Sequence, residues 1–211
     1  LLSAYNRVLS EDIISSEDIP SFTRSAVDGF AVKAKDTYGA SESLPSILRI
    51  VGEVRMGQEA DIKLLQGETV KIPTGGMLPE GSDSVVMLEY TQYLDDQTLC
   101  IERPVAPGDN LIYKGEDIKK SDIVLKKGHT LRPQDLGVLA GLGISKVSVI
   151  KPPIVSIIST GDEVKPPGEV IGPGEVRDIN TYAISGQTLK WGAIPRAFGI
   201  IRDDFHELKA A

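Results

Sequence analysis

The chain has 211 residues, enough to bury a sizeable core and to hold more than one domain. An apolar share of 41% and a charged share of 25% are ordinary for a soluble globular protein. The net charge of −7, with acids and bases interspersed, argues against nucleic acid, which needs a basic face, but leaves anionic small ligands open. The lone Cys100 rules out an internal disulfide and a cysteine zinc cage and fits a reducing cytosol, so a cytoplasmic protein is expected. No run approaches the ~18 apolar residues of a membrane span and no signal peptide opens the sequence, so no membrane partner is expected. Leu1, with no methionine before it, and Ala211, inside an expected helix, read as cut ends.

In chain order, Leu1 to Leu9 carries apolar residues at helical spacing and is expected to close a helix. Glu11 to Ser16 suits a short strand leading into Pro20 to Val32, which reads Pro-Ser-Phe-Thr-Arg-Ser-Ala-Val-Asp-Gly-Phe-Ala-Val. There Asp28 precedes Gly29, whose backbone freedom lets a turn lie close to a ligand, with Phe22, Val27, Phe30 and Val32 as apolar anchors. On spacing alone a surface Asp-Gly turn is the commoner reading. Asp36 to Ser41 reads as a loop.

From Ile47 to Glu102 the texture is β. Strands are expected at Ile47 to Arg55, Glu68 to Ile72, Val85 to Tyr93 and Thr98 to Glu102, with a hairpin turn at Asp95-Asp96-Gln97. Between them, Ile72-Pro73-Thr74-Gly75-Gly76-Met77-Leu78-Pro79 reads equally as an oxyanion cradle with free amides or as a plain hairpin connection. Pro104 to Asn110 is a Pro/Gly linker. In Lys114-Gly115-Glu116-Asp117-Ile118, adjacent acids on a strand would point to opposite faces, so only one could reach a ligand; a solvated turn is the alternative. Asp122 to Leu131 reads as a hairpin around Lys126-Lys127-Gly128, and Pro133 to Ala140 as a helix.

The last third changes class. Ile154 to Ile158 suits a buried parallel strand, Asn180 a cap for a helix over Thr181 to Trp191, and Ala197 to Ile201 a second strand. Asp204, with Glu207 three residues on, should cap another helix, which leaves Asp203 to face a cleft. A βαβ unit places ligands beyond the carboxyl ends of its strands. Both ends are acidic, Ser159-Thr160-Gly161-Asp162-Glu163 and Arg202-Asp203-Asp204, which suits a divalent cation with oxygen ligands, magnesium over zinc. No dinucleotide fingerprint or P-loop is present. The loop from Thr160 to Ile179 is about 20 residues, a length usually functional or disordered. A β-rich module over 20–110 and the first half of a parallel α/β unit over 151–211 are therefore expected.

Five motifs in order resemble the molybdopterin molybdenumtransferases, the family that includes the C-terminal domain of gephyrin. They are Ile19 to Val32, the Thr74-Gly75 loop, Gly115-Glu116-Asp117-Ile118, Ser-Thr-Gly-Asp-Glu followed by Pro-Pro-Gly and Asp178-Ile179-Asn180, and Arg202-Asp203-Asp204. Thr23 stands where the family usually has Asp, and Gly76 where it has Ala, a change expected to keep the loop open. The family's later Gly-Gly-x-Ser motif and C-terminal β domain would fall beyond Ala211.

The resemblance implies a multi-domain α/β plus β fold, with a discontinuous linking domain over 1–19 and 111–150 beside the β-rich module over 20–110 and a truncated α/β domain over 151–211. It implies an enzyme that inserts molybdenum into adenylated molybdopterin with release of AMP, from molybdate or tungstate, with the 211-residue chain inactive alone. It implies catalytic roles for Asp28, Thr74, Asp117, Glu163 and Asp203, and cofactor-binding roles for Ser25, Gly75, Gly76, Thr160, Gly161 and Asp162. Magnesium would sit on Glu163, Asp203 and Asp117. A homodimer with a shared cleft is implied, Asp28 facing Glu163 of the partner subunit. A pterin-binding sensor or scaffold without catalysis, or a molybdate or tungstate carrier, are the alternatives on the same fold.

Overall fold

The structure, a computed structural model, describes residues 1–210; Ala211, expected within a helix, lies outside them. The first strands are β1 (Ile13–Ile14), β2 (Arg24–Ser25), β3 (Gly29–Val32), β4 (Ser46–Glu53) and β5 (Glu68–Ile72). Then come β6 (Ser84–Met87), β7 (Thr91–Asp95), β8 (Thr98–Ile101), β9 (Leu111–Ile112) and β10 (Ile123–Leu125). Helix α1 (Pro133–Gly141) precedes β11 (Ile154–Thr160), β12 (Val164–Lys165), β13 (Val176–Arg177), α2 (Asn180–Lys190), β14 (Ile194–Ile201) and α3 (Phe205–Ala210). No helix of the described residues is long and apolar enough to cross a membrane.

By contacts the chain divides into Ile14–Val124 and a unit of Leu1–Ile13 with Leu125–Ala211. The expected 20–110 module lies inside the first. Residues 14–19 and 111–124 join it there, because Arg24 and Ser25 pair with Ile112 and Leu111, and Ile19 bridges to Ile118.

The Ile14–Val124 unit is built on a six-stranded sheet in the order β6-β3-β5-β4-β8-β7. The inner strand β3, between β6 and β5, is buried on both faces. Phe30 and Val32 enter one core with Leu48, Val86, Leu99 and Ile101, while Ala31 enters the other with Val54, Leu64, Val70 and Val85. That is the period-two alternation of a strand between two apolar layers. The expected strand from Val85 to Tyr93 is two strands broken by a 3-10 turn at Leu88–Tyr90. The halves serve different partners, β6 pairing with β3 and β7 with β8, and Leu88 donates its N–H to Asp28 at the break. The Pro104 to Asn110 segment is no loose linker. Val85 donates to the Asp109 carbonyl and Asn110 Nδ2 to the Val85 carbonyl, which covers the outer edge of β6.

In the other unit the expected N-terminal helix is only a 3-10 turn, Leu2–Ala4. Asn6 then takes φ 59°, and Leu9, fully buried, packs with Leu131 and Leu139. The residues after Lys126-Lys127-Gly128 do not fold back as a local hairpin: Leu9 donates to the His129 carbonyl and Gly128 to that of Leu9. Pro133 opens α1 as expected, and the N–H of Arg132 is accepted by Asp135. The Asp135 carboxylate also takes Arg132 Nε and a terminal guanidinium nitrogen, each at 3.0 Å, and lies 2.6 Å from His129 Nε2. These bonds, Arg132's guanidinium foremost, hold its carboxyl far below the ordinary carboxylate range.

A depressed carboxylate contributes stability that is complete above its unfolded value of ~3.9 and is lost as pH falls toward its folded value. Asp135→Asn should therefore flatten the acid side of the unfolding-midpoint curve below pH 5. An unchanged slope would mean that Asp135 does not supply it.

β11 and β14 run parallel, Ile154 opposite Ile194 and Thr160 opposite Ile201, with a register shift between Ile157 and Ser159. The expected burial of β11 is not met. Only Ile157 and Ser159 are buried, because two strands and the packed helix α2 leave much of this layer open.

Candidate functional site

Register carries Asp28 to its partner. Gly29 opposes Ile72 at the end of β5, so the residue before Gly29 meets the start of the 73–79 loop. Asp28 Oδ1 accepts the Thr74 N–H at 2.7 Å and the Thr74 hydroxyl at 3.0 Å. These two bonds, the N–H first, hold the Asp28 carboxyl below its ordinary value. Both residues are exposed, and Oδ2 has no protein donor among the described residues. Gly29 is required for a different reason from the one expected. Its φ is not positive; a Cβ there would overlap the Val86 carbonyl oxygen and lie 2.9 Å from its carbon.

The loop after Thr74 is not an open cradle. Thr74 N–H goes to Asp28, Gly75 N–H to the Ser25 carbonyl at 2.8 Å and Gly76 N–H to Pro73 at 2.9 Å. Gly75 turns the chain at φ 82°. Gly76 keeps the loop closed rather than open, since a Cβ would meet the Pro73 carbonyl and the Ile72 side chain, each at 2.9 Å. Ser25 is buried, its hydroxyl donating to the Val27 carbonyl at 2.6 Å. Thr23, the departure from the family pattern, accepts the Lys114 N–H at 3.2 Å.

Lys114 to Ile118 is a turn, not a strand, with Gly115 at φ 70°. Glu116 accepts the Tyr113 N–H at 2.7 Å. The exposed Asp117 carboxylate makes no protein hydrogen bond among the described residues, so one acid of the pair is free because the other holds the turn, not because a strand alternates.

In the α/β part the strand-end residues divide between two clefts. Gly161 and Asp162 line one of about 980 Å³ with Lys165, Tyr182, Phe198 and Arg202. Thr160 and Glu163 line another of about 550 Å³ beside Asn180. Gly161 sits at φ 139°, and a Cβ there would come 2.9 Å from Glu163 Oε2, so this carboxylate folds over the glycine. Asp203 is exposed two residues beyond β14, and Asp204 caps α3 as expected, accepting the N–H groups of His206 and Glu207.

The loop from Thr160 to Ile179 is structured. β12 and β13 pair within it, Arg177 donates to the carbonyls of Pro167 and Glu169, and Glu175 accepts the Gly172 N–H.

Asp178 is the residue that the motif reading placed in order but gave no role. It is buried, accepting the Ser159 hydroxyl and the Thr181 N–H, each at 3.0 Å, and Ser159 and Thr181 hydroxyls lie 2.8 Å apart. It, and not Asn180, caps α2. Thr181 first, then Ser159, holds its carboxyl below the ordinary value. The signal was an acid three residues before a helical Thr, masked by the better-known cap residue next to the helix. Asp178→Ala should cost about 2–3 kcal/mol, the scale of hydrogen bonds to a buried charge. Urea unfolding followed at Trp191, the only tryptophan, at the end of α2, measures it; a cost below about 0.5 kcal/mol, that of an ordinary surface change, would remove this network from the fold.

Among the described residues no three or more His, Cys, Asp or Glu side chains gather as a metal cage, so Asp117, Glu163 and Asp203 do not form one. Glu163 and Asp203 still follow neighbouring parallel strands as hard oxygen donors. That is the contribution magnesium takes from a protein when phosphate and water supply its other ligands.

A sequence model of the MoeA N-terminal region (domain I and II) matches residues 1–143. The chain is 36% identical over 204 residues to a molybdopterin molybdenumtransferase of Staphylococcus aureus, covering 97% of this chain and 48% of that one. With a protein of the same name from Bacillus subtilis it is 35% identical, covering 100% and 50%. A crystal structure of the molybdopterin biosynthesis MoeA protein of Pyrococcus horikoshii superposes with a TM-score of 0.92 at 39% identity, covering 99% of this chain and 55% of that one. The chain thus spans about half the length of the curated relatives it matches, and its strand-rich mixed architecture matches that of the Pyrococcus horikoshii protein. With residues 1–143 matched by that sequence model and the fold shared almost throughout, the chain belongs to the MoeA family, as an N-terminal portion.

Proposed function

We propose that this chain serves molybdenum cofactor biosynthesis, as part of a protein that inserts molybdenum into adenylated molybdopterin and releases AMP. One observation supports it above the others: Asp28 and Thr74, 46 residues apart, meet through two hydrogen bonds on an exposed ledge, with one carboxylate oxygen left for a ligand. Thr74 orients Asp28 and keeps it ionised, so its free oxygen can position the incoming oxyanion's protonated or metal-side groups. The larger cleft is suited to the nucleotide. Its volume is that of a small-molecule site, Tyr182 and Phe198 offer ring faces, and Arg202 offers a cation to the phosphate.

Glu163, next in the chain to the Asp162 of that cleft, and Asp203, next to its Arg202, would hold magnesium beside the phosphates, where the ion would polarise the phosphoanhydride. The family's homodimer, with a cleft shared between subunits, and the choice between molybdate and tungstate belong to the same proposal. The test is AMP release from adenylated molybdopterin. A protein carrying this chain at the full length of its relatives should release AMP on adding molybdate, and the 211-residue chain alone should not. A full-length protein that binds the pterin nucleotide without releasing AMP would make it a sensor or scaffold.

A further inference from the structure

Asp178 is only 8% exposed, yet it lines both clefts of the α/β part. The bonds it accepts from Ser159 and Thr181 both go to Oδ1, so neither uses Oδ2. Asp178 enters none of the ion pairs among the described residues, so no cation pairs with it there. A carboxylate set into a cleft wall, away from most of its water and kept ionised by Thr181 and Ser159, is matched best by N–H donors that a ligand brings.

The same hydrogen-bonded network sets two rings beside it. Tyr182 follows Thr181 directly and lines the larger cleft. Ser159, which donates to Asp178, stands opposite Ile200, while Phe198 and Gly199 together oppose Ile158 alone. That is a β-bulge, with Gly199 at φ 91°, and a bulge re-aims side chains beside a site. Phe198, within the bulge, lines the larger cleft, and so does Arg202, two residues past Ile200. Arg202, like Asp178, has no ion-pair partner among the described residues. The larger cleft thus offers ring faces, an acid that accepts and a cation that donates. A flat ring carrying an amine, joined to a phosphate, answers all three.

We propose that Asp178 reads the ring of the ligand in the larger cleft, accepting the exocyclic amine of an aminated heteroaromatic ring through Oδ2 while Tyr182 and Phe198 cover its faces. Adenine and pterin both carry such an amine. The use of this cleft for the nucleotide rests on the function proposed above; the reading of the amine stands on Asp178 and the two rings.

Calorimetric titration of the full-length protein tests it with two pairs of probes: AMP against purine riboside 5′-monophosphate, and pterin against pteridin-4-one. In each pair the second compound lacks only the exocyclic amine. At least one pair should bind saturably, with loss of the amine weakening binding about tenfold or more, the scale of a hydrogen bond to a charged group. The pair that shows this preference names the ring. Asp178→Asn, whose carbonyl oxygen can keep the Ser159 and Thr181 bonds, should erase the preference, and unchanged hydrogen exchange at the Thr181 amide shows that the cap is intact. If Asp178→Asn does not fold, Asp178→Ser, which can also accept the Thr181 N–H as a helix cap, is read in the same way. Phe198→Ala should weaken both members of a pair alike and leave the preference in place. Equal affinity within both pairs, a preference that survives in the folded Asp178 variants, or no saturable binding of any probe overturns the proposal. AMP release without an amine preference overturns this proposal and leaves the functional reading standing. An amine preference that depends on Asp178, in a protein that releases no AMP, supports the proposal and counts instead against the functional reading.

Discussion

In the full-length protein, Asp28→Ala should lower molybdate-dependent AMP release by about a hundredfold or more, the scale of losing one preorganised polar group at a reacting centre. The fold should hardly notice, because Asp28 is exposed and its carboxylate engages only Thr74 among the described residues. Asp28→Asn separates shape from charge: its carbonyl oxygen can keep both Thr74 bonds, so a loss as deep as that of alanine assigns the effect to the charge. Thr74→Val removes one of the two bonds that keep the Asp28 carboxyl below its ordinary value. The carboxyl then protonates at a higher pH, and the acid limb of the rate profile should move upward with it. Full activity in Asp28→Ala at pH 7 would sink the assignment of this ledge to the reaction.

The second large effect is structural and concerns the next residue. Gly29→Ala should destabilise the Ile14–Val124 unit by about 3 kcal/mol or more, at or beyond the usual range of overpacking, since the obstacle is backbone. The added Cβ would overlap the Val86 carbonyl, and β3 and β6 would have to part at the head of their ladder. Gly39→Ala is the control. Gly39 has φ 83° with nothing within 4 Å, so only left-handed strain opposes the substitution, roughly 1–2 kcal/mol. Urea unfolding followed by far-ultraviolet circular dichroism compares them. Equal costs at the two sites would show that close approach is not what keeps glycine at 29. Because Asp28 leads directly into this contact, a folded Gly29→Ala protein should also displace the Asp28–Thr74 pair and lose AMP release.

The amino-acid sequence alone determined the elements whose signals are local. Pro133 opens α1, Asp204 caps α3, Asp95-Asp96-Gln97 turns the β7–β8 hairpin, and the apolar runs at 154–158 and 197–201 became parallel partners. In each case a side chain acts on backbone within a few residues, so chain order is enough. Only the tertiary structure decided the rest, because the deciding atom was far along the chain. Leu1 to Leu9 has a helical pattern, but its backbone pairs with residues 129–131, and Leu9 is buried as an extended residue. Gly29 is glycine because of Val86, 57 positions later by their numbering, and not because of its own torsion angles. The amides of Thr74 and Gly75 looked free for an anion until Asp28 and Ser25 were found to occupy them.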